Sequence, residues 1–310
     1  MGESNDAALD MALVPSGNET HLVLIRDGGI ERRLKTGLGC CGPHAWSHGG
    51  LVAVLTRRRG HQLLWWRVLL LQCDELGSAI VARLDTPIAA ADLAWFDDRL
   101  VVCGISPTGP RAWLIAPLDS SARWLPLPMP QGERWERKGF DALVTQGRQL
   151  IAIDNFVIPK WMVRYEASAN GIPTLAAVLP MAENGTYETV HCASDGDSVF
   201  AVLSTTVGRS GVRHHCTFYA WEDARPLRTL TLAGERPRFA MQGDDLWLLH
   251  GPSGARSVHR LRDVSEPRAF ELDAGSAVAM ADASATLVRS RDGRIILASG
   301  LPEGRVDVLS

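Results

Sequence analysis

The stretch Asp92-Leu-Ala-Trp-Phe-Asp-Asp98-Arg-Leu-Val-Val-Cys-Gly104 places a pair of aspartates between two short apolar runs. Such a pattern predicts a β-hairpin with a tight turn. The same pattern recurs along the chain at nearly even spacings of 48, 49, 49 and 48 residues. Its turn residues are Gly50, Asp98, Gly147, Gly196 and Asp244. The chain is therefore expected to be built from repeats of a single supersecondary unit.

Each repeat holds two further apolar segments after the hairpin, such as 112–116 and 123–127. Four short antiparallel strands per unit are typical of a propeller blade, and stacking blades around an axis protects the faces of each sheet. The chain offers 27 strand candidates, one short of seven four-stranded blades. We predict an all-β, seven-bladed propeller in one domain, 1–310, with six blades as the alternative. The expected blades are 11–37, 44–86, 92–128, 141–180, 190–233, 238–273 and 277–310.

The composition is that of an ordinary globular protein, with 46% hydrophobic and 22% charged residues. A net charge of -3 gives no basic footprint for nucleic acid. The first ten residues contain acids and no apolar core of a secretory signal, and the longest apolar run is too short to span a bilayer. We therefore expect a cytoplasmic location without membrane contact.

The blade pattern resembles the β-propeller superfamily over essentially the whole chain, without the Gly-His and Trp-Asp marks of WD repeats. The segment Asp154-Asn-Phe-Val-Ile-Pro-Lys-Trp161 interrupts this pattern. It resembles Asp-Asn and Pro-Lys segments of bacterial propellers associated with MoxR-type ATPases and von Willebrand A partners. That resemblance implies an accessory subunit of a multi-protein ATPase or defence-type system.

A ring of charged residues is expected at the central channel, because residues at one offset before each turn share the innermost strands. The ring consists of His44, Asp92, Asp141, His191 and Arg238. Two aspartates on adjacent blades suit a divalent cation or acid–base chemistry in a lactonase- or glycosidase-like hydrolase. Alternatively, aspartates at strand starts cap backbone amides and the ring holds only channel water.

Two other segments contain residue types found at binding sites. The stretches 40–48 and 214–216 hold Cys and His, but their spacings do not fit a zinc site. Arg57, Arg58 and Arg59 lie at a hairpin near two tryptophans, a combination that suits single-stranded nucleic acid. The acidic total charge makes a solvated turn the alternative.

These observations favour a non-catalytic bacterial scaffold over an enzyme, with a propeller hydrolase and a nucleic-acid-binding protein as alternatives. We assign no catalytic residue, no metal ligand and no cofactor, and expect protein partners. The predicted binding residues are Asp154, Asn155, Pro159, Lys160, Trp161, Arg57, Arg58 and Arg59.

Overall fold

The structure is a computed structural model of the chain. It describes residues 9–39, 41–59, 64–106, 109–136, 139–154, 160–181, 187–194, 196, 198–208, 211–232, 237–252, 255–264, 277–281, 284–299 and 304–309. These residues form seven antiparallel sheets, numbered here as blades 1 to 7 in chain order. The predicted seven-bladed propeller is confirmed, and the six-bladed alternative is wrong.

Blades 1 to 3 contain β1 (Asp10–Ser16), β2 (Glu19–Arg26), β3 (Gly29–Lys35), β4 (His44–Trp46), β5 (Leu51–Arg59), β6 (Leu64–Asp74), β7 (Gly77–Asp85), β8 (Ala89–Phe96), β9 (Arg99–Ile105), β10 (Ala112–Ile115) and β11 (Leu125–Pro126). Helix α1 (Glu133–Glu136) precedes blade 4. Blades 4 and 5 contain β12 (Phe140–Gln146), β13 (Gln149–Asp154), β14 (Trp161–Ala167), β15 (Pro173–Pro180), β16 (Tyr187–Ser194), β17 (Val199–Gly208), β18 (Gly211–Ala220) and β19 (Pro226–Leu232). Blades 6 and 7 contain β20 (Arg238–Gln242), β21 (Asp245–His250), β22 (Arg256–Leu261), β23 (Ala277–Ala281), β24 (Thr286–Arg289), β25 (Ile295–Ala298) and β26 (Val306–Leu309).

The second strand of each blade is apolar on both faces because a neighbouring blade covers each face. In β13, for example, the residues from Leu150 to Ile153 are fully buried. Their side chains divide between two clusters, one shared with blade 3 and the other with blade 5. The fourth strands lie at the rim, and β7 accordingly alternates between half-buried and exposed residues. The core is therefore a series of interfaces between blades.

The predicted turns at Gly50, Gly147 and Gly196 have left-handed backbone conformations. At the other two turns, the left-handed residue lies one position earlier, at Asp97 and Gly243. Two-residue hairpin turns require positive φ, which Gly adopts without strain and Asp tolerates.

Blade 7 begins later than the sequence predicts. The segment from Ala277 to Met280 was expected to open blade 7, but it lies in β23 and pairs with β22 as the outer strand of blade 6. An alternating apolar strand has the same pattern at either position, so only the pairing partner distinguishes them. The described residues form 26 strands, and the end of the predicted sixth blade, 265–273, lies outside them.

Blade 1 corresponds to the second, third and fourth strands of the other blades. Strands β1 and β2 are almost entirely buried and β3 is mostly exposed or half-buried, as in a rim strand. The register shift between β2 and β3 also matches the shift between third and fourth strands elsewhere. Within the described part of the chain, blade 7 in turn supplies three strands.

The ring closes between blades 7 and 1 without a shared strand among the described residues. The backbone N–H of Arg291 donates to Met11 O at 2.7 Å, and that of Asp292 donates to Asp10 Oδ1 at 2.9 Å. Asp10 is fully buried, and Arg294 Nε lies 4.0 Å from its second carboxylate oxygen. Apolar residues of β1, β2, β24 and β25 pack beneath these contacts.

None of the described residues belongs to a helix long and apolar enough to cross a membrane.

Candidate functional site

Three neighbouring first strands carry a β-bulge at the same level. The unpaired residue is Ala91 in β8, Asp141 in β12 and Val190 in β16. The first strand of blade 4 contacts the first strands of blades 3 and 5, so the three bulges are neighbours around the axis. Bulges redirect side chains and are frequent beside active sites. In blades 3 and 4 the bulges lie at the two predicted aspartates, since Asp141 is itself unpaired and Asp92 follows the unpaired Ala91.

Asp92 joins blade 3 to blade 4. Its Oδ1 accepts the N–H of Leu93 at 2.9 Å, and its Oδ2 accepts the N–H of Leu143 in β12, also at 2.9 Å. Burial raises the pKa of Asp92 to about 6, against the lowering effect of these two hydrogen bonds. The predicted capping role is therefore present. The raised pKa additionally allows this carboxyl to exchange a proton near neutral pH.

Asp141 forms an ion pair with a fully buried lysine. Lys160 Nζ lies 3.1 Å from Asp141 Oδ2 and donates to Asp154 O at 2.9 Å. The side chain of Asp141 remains 23% exposed, whereas that of Lys160 is 0% exposed. The carboxylate of Asp154 accepts the N–H of Trp161 at 3.1 Å, which joins the last residue of β13 to the first residue of β14. The Lys160 side chain, directly before β14, thus reaches the carboxylate of Asp141 on β12.

Two buried thiols lie among these groups. Burial raises the pKa of Cys103 and of Cys192 well above the ordinary value, and the charges of Asp92 and Asp141 raise both further. The Lys160 ammonium acts in the opposite direction on Cys192. Both thiols therefore stay protonated and are poor nucleophiles.

His44 lies on the first strand of the preceding blade. Burial lowers its pKa to about 4, so its imidazole is neutral at physiological pH. The indole N–H of Trp95 donates to Ala45 O at 2.9 Å and ties β4 to β8 beside it. The first strands of blades 2, 3 and 4 therefore contribute a neutral imidazole, a carboxyl of raised pKa and a lysine-paired carboxylate.

The remaining predicted ring residues also lie on first strands. Arg238 begins β20, is half-buried and donates to Pro237 O at 3.0 Å. After burial and His215, its charge is the third cause that lowers the pKa of His214. The backbone of His191 lies in β16, but its side chain is outside the described part of the structure.

The predicted binding residues are only partly described. Asn155 and Pro159 lie outside the described residues, and so do the side chains of Arg57, Arg58 and Arg59. The backbone of the three arginines belongs to the paired part of the β5–β6 hairpin. Lys160 is buried and Trp161 packs against the cluster between blades 3 and 4, so both serve internal contacts here.

The Cys and His segments form no metal centre within the described residues, where no three His, Cys, Asp or Glu side chains converge. Cys40 lies outside those residues. In the second segment, the Nδ1 atom of His214 lies 2.9 Å from the Thr205 hydroxyl.

Sequence reasoning missed the pairing of Lys160 with Asp141 and the two thiols. The lysine and its partner are 19 residues apart, and no local spacing rule connects them. The only available signal was that lysine is rare in this chain, in which Lys160 follows a proline within a segment that breaks the blade pattern.

No family model and no curated protein matches this chain. Solved structures match it over nearly its full length at low identity. A putative 6-phosphogluconolactonase from Bacteroides uniformis has 12% identity and a TM-score of 0.60, with 97% of each chain covered. The periplasmic gluconolactonase PpgL of Pseudomonas aeruginosa has 14% identity and a TM-score of 0.55, with 98% of this chain and 96% of the other covered. The dihydro-heme d1 dehydrogenase NirN has 16% identity and a TM-score of 0.54, with 100% and 72% covered.

At these identities the likeness shows the fold. The prediction of a non-catalytic scaffold is contradicted, because these neighbours are named as lactonases and a dehydrogenase. They agree better with the alternative of a propeller hydrolase. They do not test the resemblance to propellers associated with MoxR-type ATPases. The chain is thus similar in fold to these solved propellers.

Proposed function

We propose that this protein is a propeller hydrolase that opens a cyclic ester at the axial mouth of blades 3 and 4, with Asp92 as general base. The observation that carries the proposal is a carboxyl of raised pKa that is hydrogen-bonded to the neighbouring strand β12, which itself carries a second carboxylate paired with a buried lysine. Two acidic groups in different electrostatic states are the usual basis for assigning acid–base roles. The lactonase names among the structural neighbours support the choice of substrate class.

The chemistry follows from the hydrogen bonds of Asp92. Each of its oxygens accepts one backbone N–H, and a carboxylate oxygen can accept a second hydrogen bond. At pH 7 most Asp92 side chains are ionised, since their pKa is about 6. The carboxylate takes a proton from a water molecule whose oxygen attacks the ester carbonyl. The carbonyl–ring oxygen bond then breaks, and the proton passes to the departing alkoxide to give a hydroxy acid.

The proposal is tested by following acid release from glucono-δ-lactone in a pH-stat, with the spontaneous rate subtracted. We expect turnover by the wild-type protein and a loss of about a hundredfold or more in Asp92→Asn, the range for removing a general base. Asp98→Asn is the matched control, because Asp98 lies six residues away with a side chain that is 87% exposed. Equal rates for wild type and Asp92→Asn, or no turnover above background with a panel of five- and six-membered lactones, would refute the proposal.

A cytoplasmic location and a protein partner, both expected from the sequence, stay predictions beside this proposal.

A further inference from the structure

Lys160 has no exposed side-chain surface, and the arginines Arg111 and Arg256 are buried as well, each at 3% exposure. Taking an ammonium out of water is strongly unfavourable unless a charge and hydrogen bonds replace its hydration. A buried apolar side chain of similar length would fill the same space without that cost. The position therefore points to a role for the charge itself.

Hydrogen bonds fix both the ammonium and the backbone of Lys160. Its ammonium contacts Asp141 Oδ2 at 3.1 Å and Asp154 O at 2.9 Å, and its backbone carbonyl accepts the N–H of Met181 at 3.0 Å. The neighbouring N–H of Trp161 is fixed by the Asp154 carboxylate. These contacts leave the ammonium little freedom to move away from Asp141.

The ammonium contacts Asp141 directly, and its charge also acts on the buried thiol of Cys192. Asp92 comes from β8, Cys103 from β9, Asp141 from β12 and Cys192 from β16, and the neutral His44 lies on the adjacent β4. The carboxylate of Asp154 accepts the N–H of Trp161, and its backbone carbonyl accepts a hydrogen bond from the Lys160 ammonium. Asp92 Oδ2 is bonded to Leu143, two residues beyond Asp141 on the same strand. Two carboxyls in one poorly solvated region retain a proton between them unless a cation compensates one.

We propose that Lys160 is a positioning residue for the axial pair, which holds Asp141 ionised and oriented so that Asp92 is the carboxyl that exchanges protons. The catalytic consequence rests on the proposed hydrolase function. The effect of Lys160 on the ionisation of the two aspartates does not rest on that function, because it can be measured without any substrate.

The experiment compares Lys160→Met, Asp141→Asn and the double variant by ¹³C NMR titration of the aspartate carboxyls. In Lys160→Met, the carboxyl resonances of the axial pair are expected to titrate at higher pH than in the wild type. In Asp141→Asn, the uncompensated ammonium is expected to move the Asp92 titration to lower pH. The double variant removes both charges and is expected to return Asp92 close to its wild-type titration. Lys35→Met, a change of an exposed lysine, is the control and should alter neither aspartate.

A second readout is the pH profile of lactone hydrolysis. Lys160→Met is expected to lose about tenfold in rate on the acidic side of neutrality and to regain most of it at alkaline pH, since the base is then deprotonated. A pH-independent loss would indicate a purely structural lysine and overturn the proposal. Aspartate titrations that are identical in all four variants would overturn it equally.

The proposal remains testable if Lys160→Met does not fold, because Asp141→Asn is expected to move the Asp92 titration to lower pH and the double variant is expected to restore it. Absence of lactonase activity in the wild type would refute the proposed function and leave the NMR result to decide the role of Lys160.

Discussion

Replacing Asp92 by Asn is expected to change how the stability of the protein depends on pH. The folded-state pKa of Asp92 is about 6, above its ordinary value of 3.8, because burial disfavours the charged form. A carboxyl of this kind binds its proton more tightly in the folded state than in the unfolded state. Its contribution to stability is therefore fully present below pH 3.8 and is lost as the pH rises through about 6.

The magnitude follows from the same two values. The gap between 3.8 and about 6 corresponds to about 3 kcal/mol of unfolding free energy, at 1.36 kcal/mol for each pH unit. The Asn side chain has no charge to lose, so it removes this pH dependence. It also keeps only one acceptor oxygen for the N–H groups of Leu93 and Leu143, which costs about 1–3 kcal/mol at every pH.

The assay is urea unfolding followed by tryptophan fluorescence at a series of pH values from about 4 to about 7.5. Relative to wild type, Asp92→Asn should gain stability as the pH rises from about 4 to about 6, by up to about 3 kcal/mol, and the difference should level off above that. Asp98→Asn, at the exposed turn, should follow the wild-type curve. A constant difference between Asp92→Asn and wild type at all pH values would refute the argument that burial raises this pKa.

Two other substitutions test the closure of the ring and the bulged strands. Asp10→Ala removes the acceptor of two N–H groups, those of Met11 and Asp292, and should cost about 3 kcal/mol. Hydrogen exchange should then accelerate first in β1 and β24, and an equal acceleration in all seven blades would show that the seam is not the weak interface. Gly104→Ala would place a Cβ 2.0 Å from Ala89 O, next to the bulge in β8, and should lower the unfolding free energy by more than about 3 kcal/mol. Gly147→Ala, where φ is +50° in open space, should cost only about 1 kcal/mol. Equal melting temperatures for these two variants would contradict the close approach at Gly104.

Asp92 and Asp141 each lie six residues before a predicted turn residue, but their chemical surroundings differ because of the bulges. Asp141 is itself the unpaired residue of its bulge, whereas Asp92 follows the bulge and pairs with Cys103. Their side chains therefore leave the strand in different surroundings. One carboxylate meets the lysine and the other meets two backbone amides.

The sequence by itself determined the repeat, the strand content and the seven blades. Evenly spaced turns and apolar runs on both faces are local properties, and a strand covered on both sides shows them wherever the chain lies. The same spacing placed Asp92, Asp141 and His44 on first strands. Local patterns were also sufficient to predict a hairpin at Asp92 to Gly104, displaced by one residue at its turn.

Only the tertiary structure decided which strand pairs with which and which charges meet. The sequence of the segment that begins at Ala277 fits a first or a fourth blade strand equally well, and only its pairing with β22 identifies it as a fourth strand. The contact of Lys160 with Asp141 depends on the bulge in β12 and on the complete burial of the Lys160 side chain. Burial of Asp92 requires blade 4 to pack against blade 3, and its pKa follows from that packing. These properties arise between segments distant in sequence, where desolvation and hydrogen-bond partners are set by the closed ring.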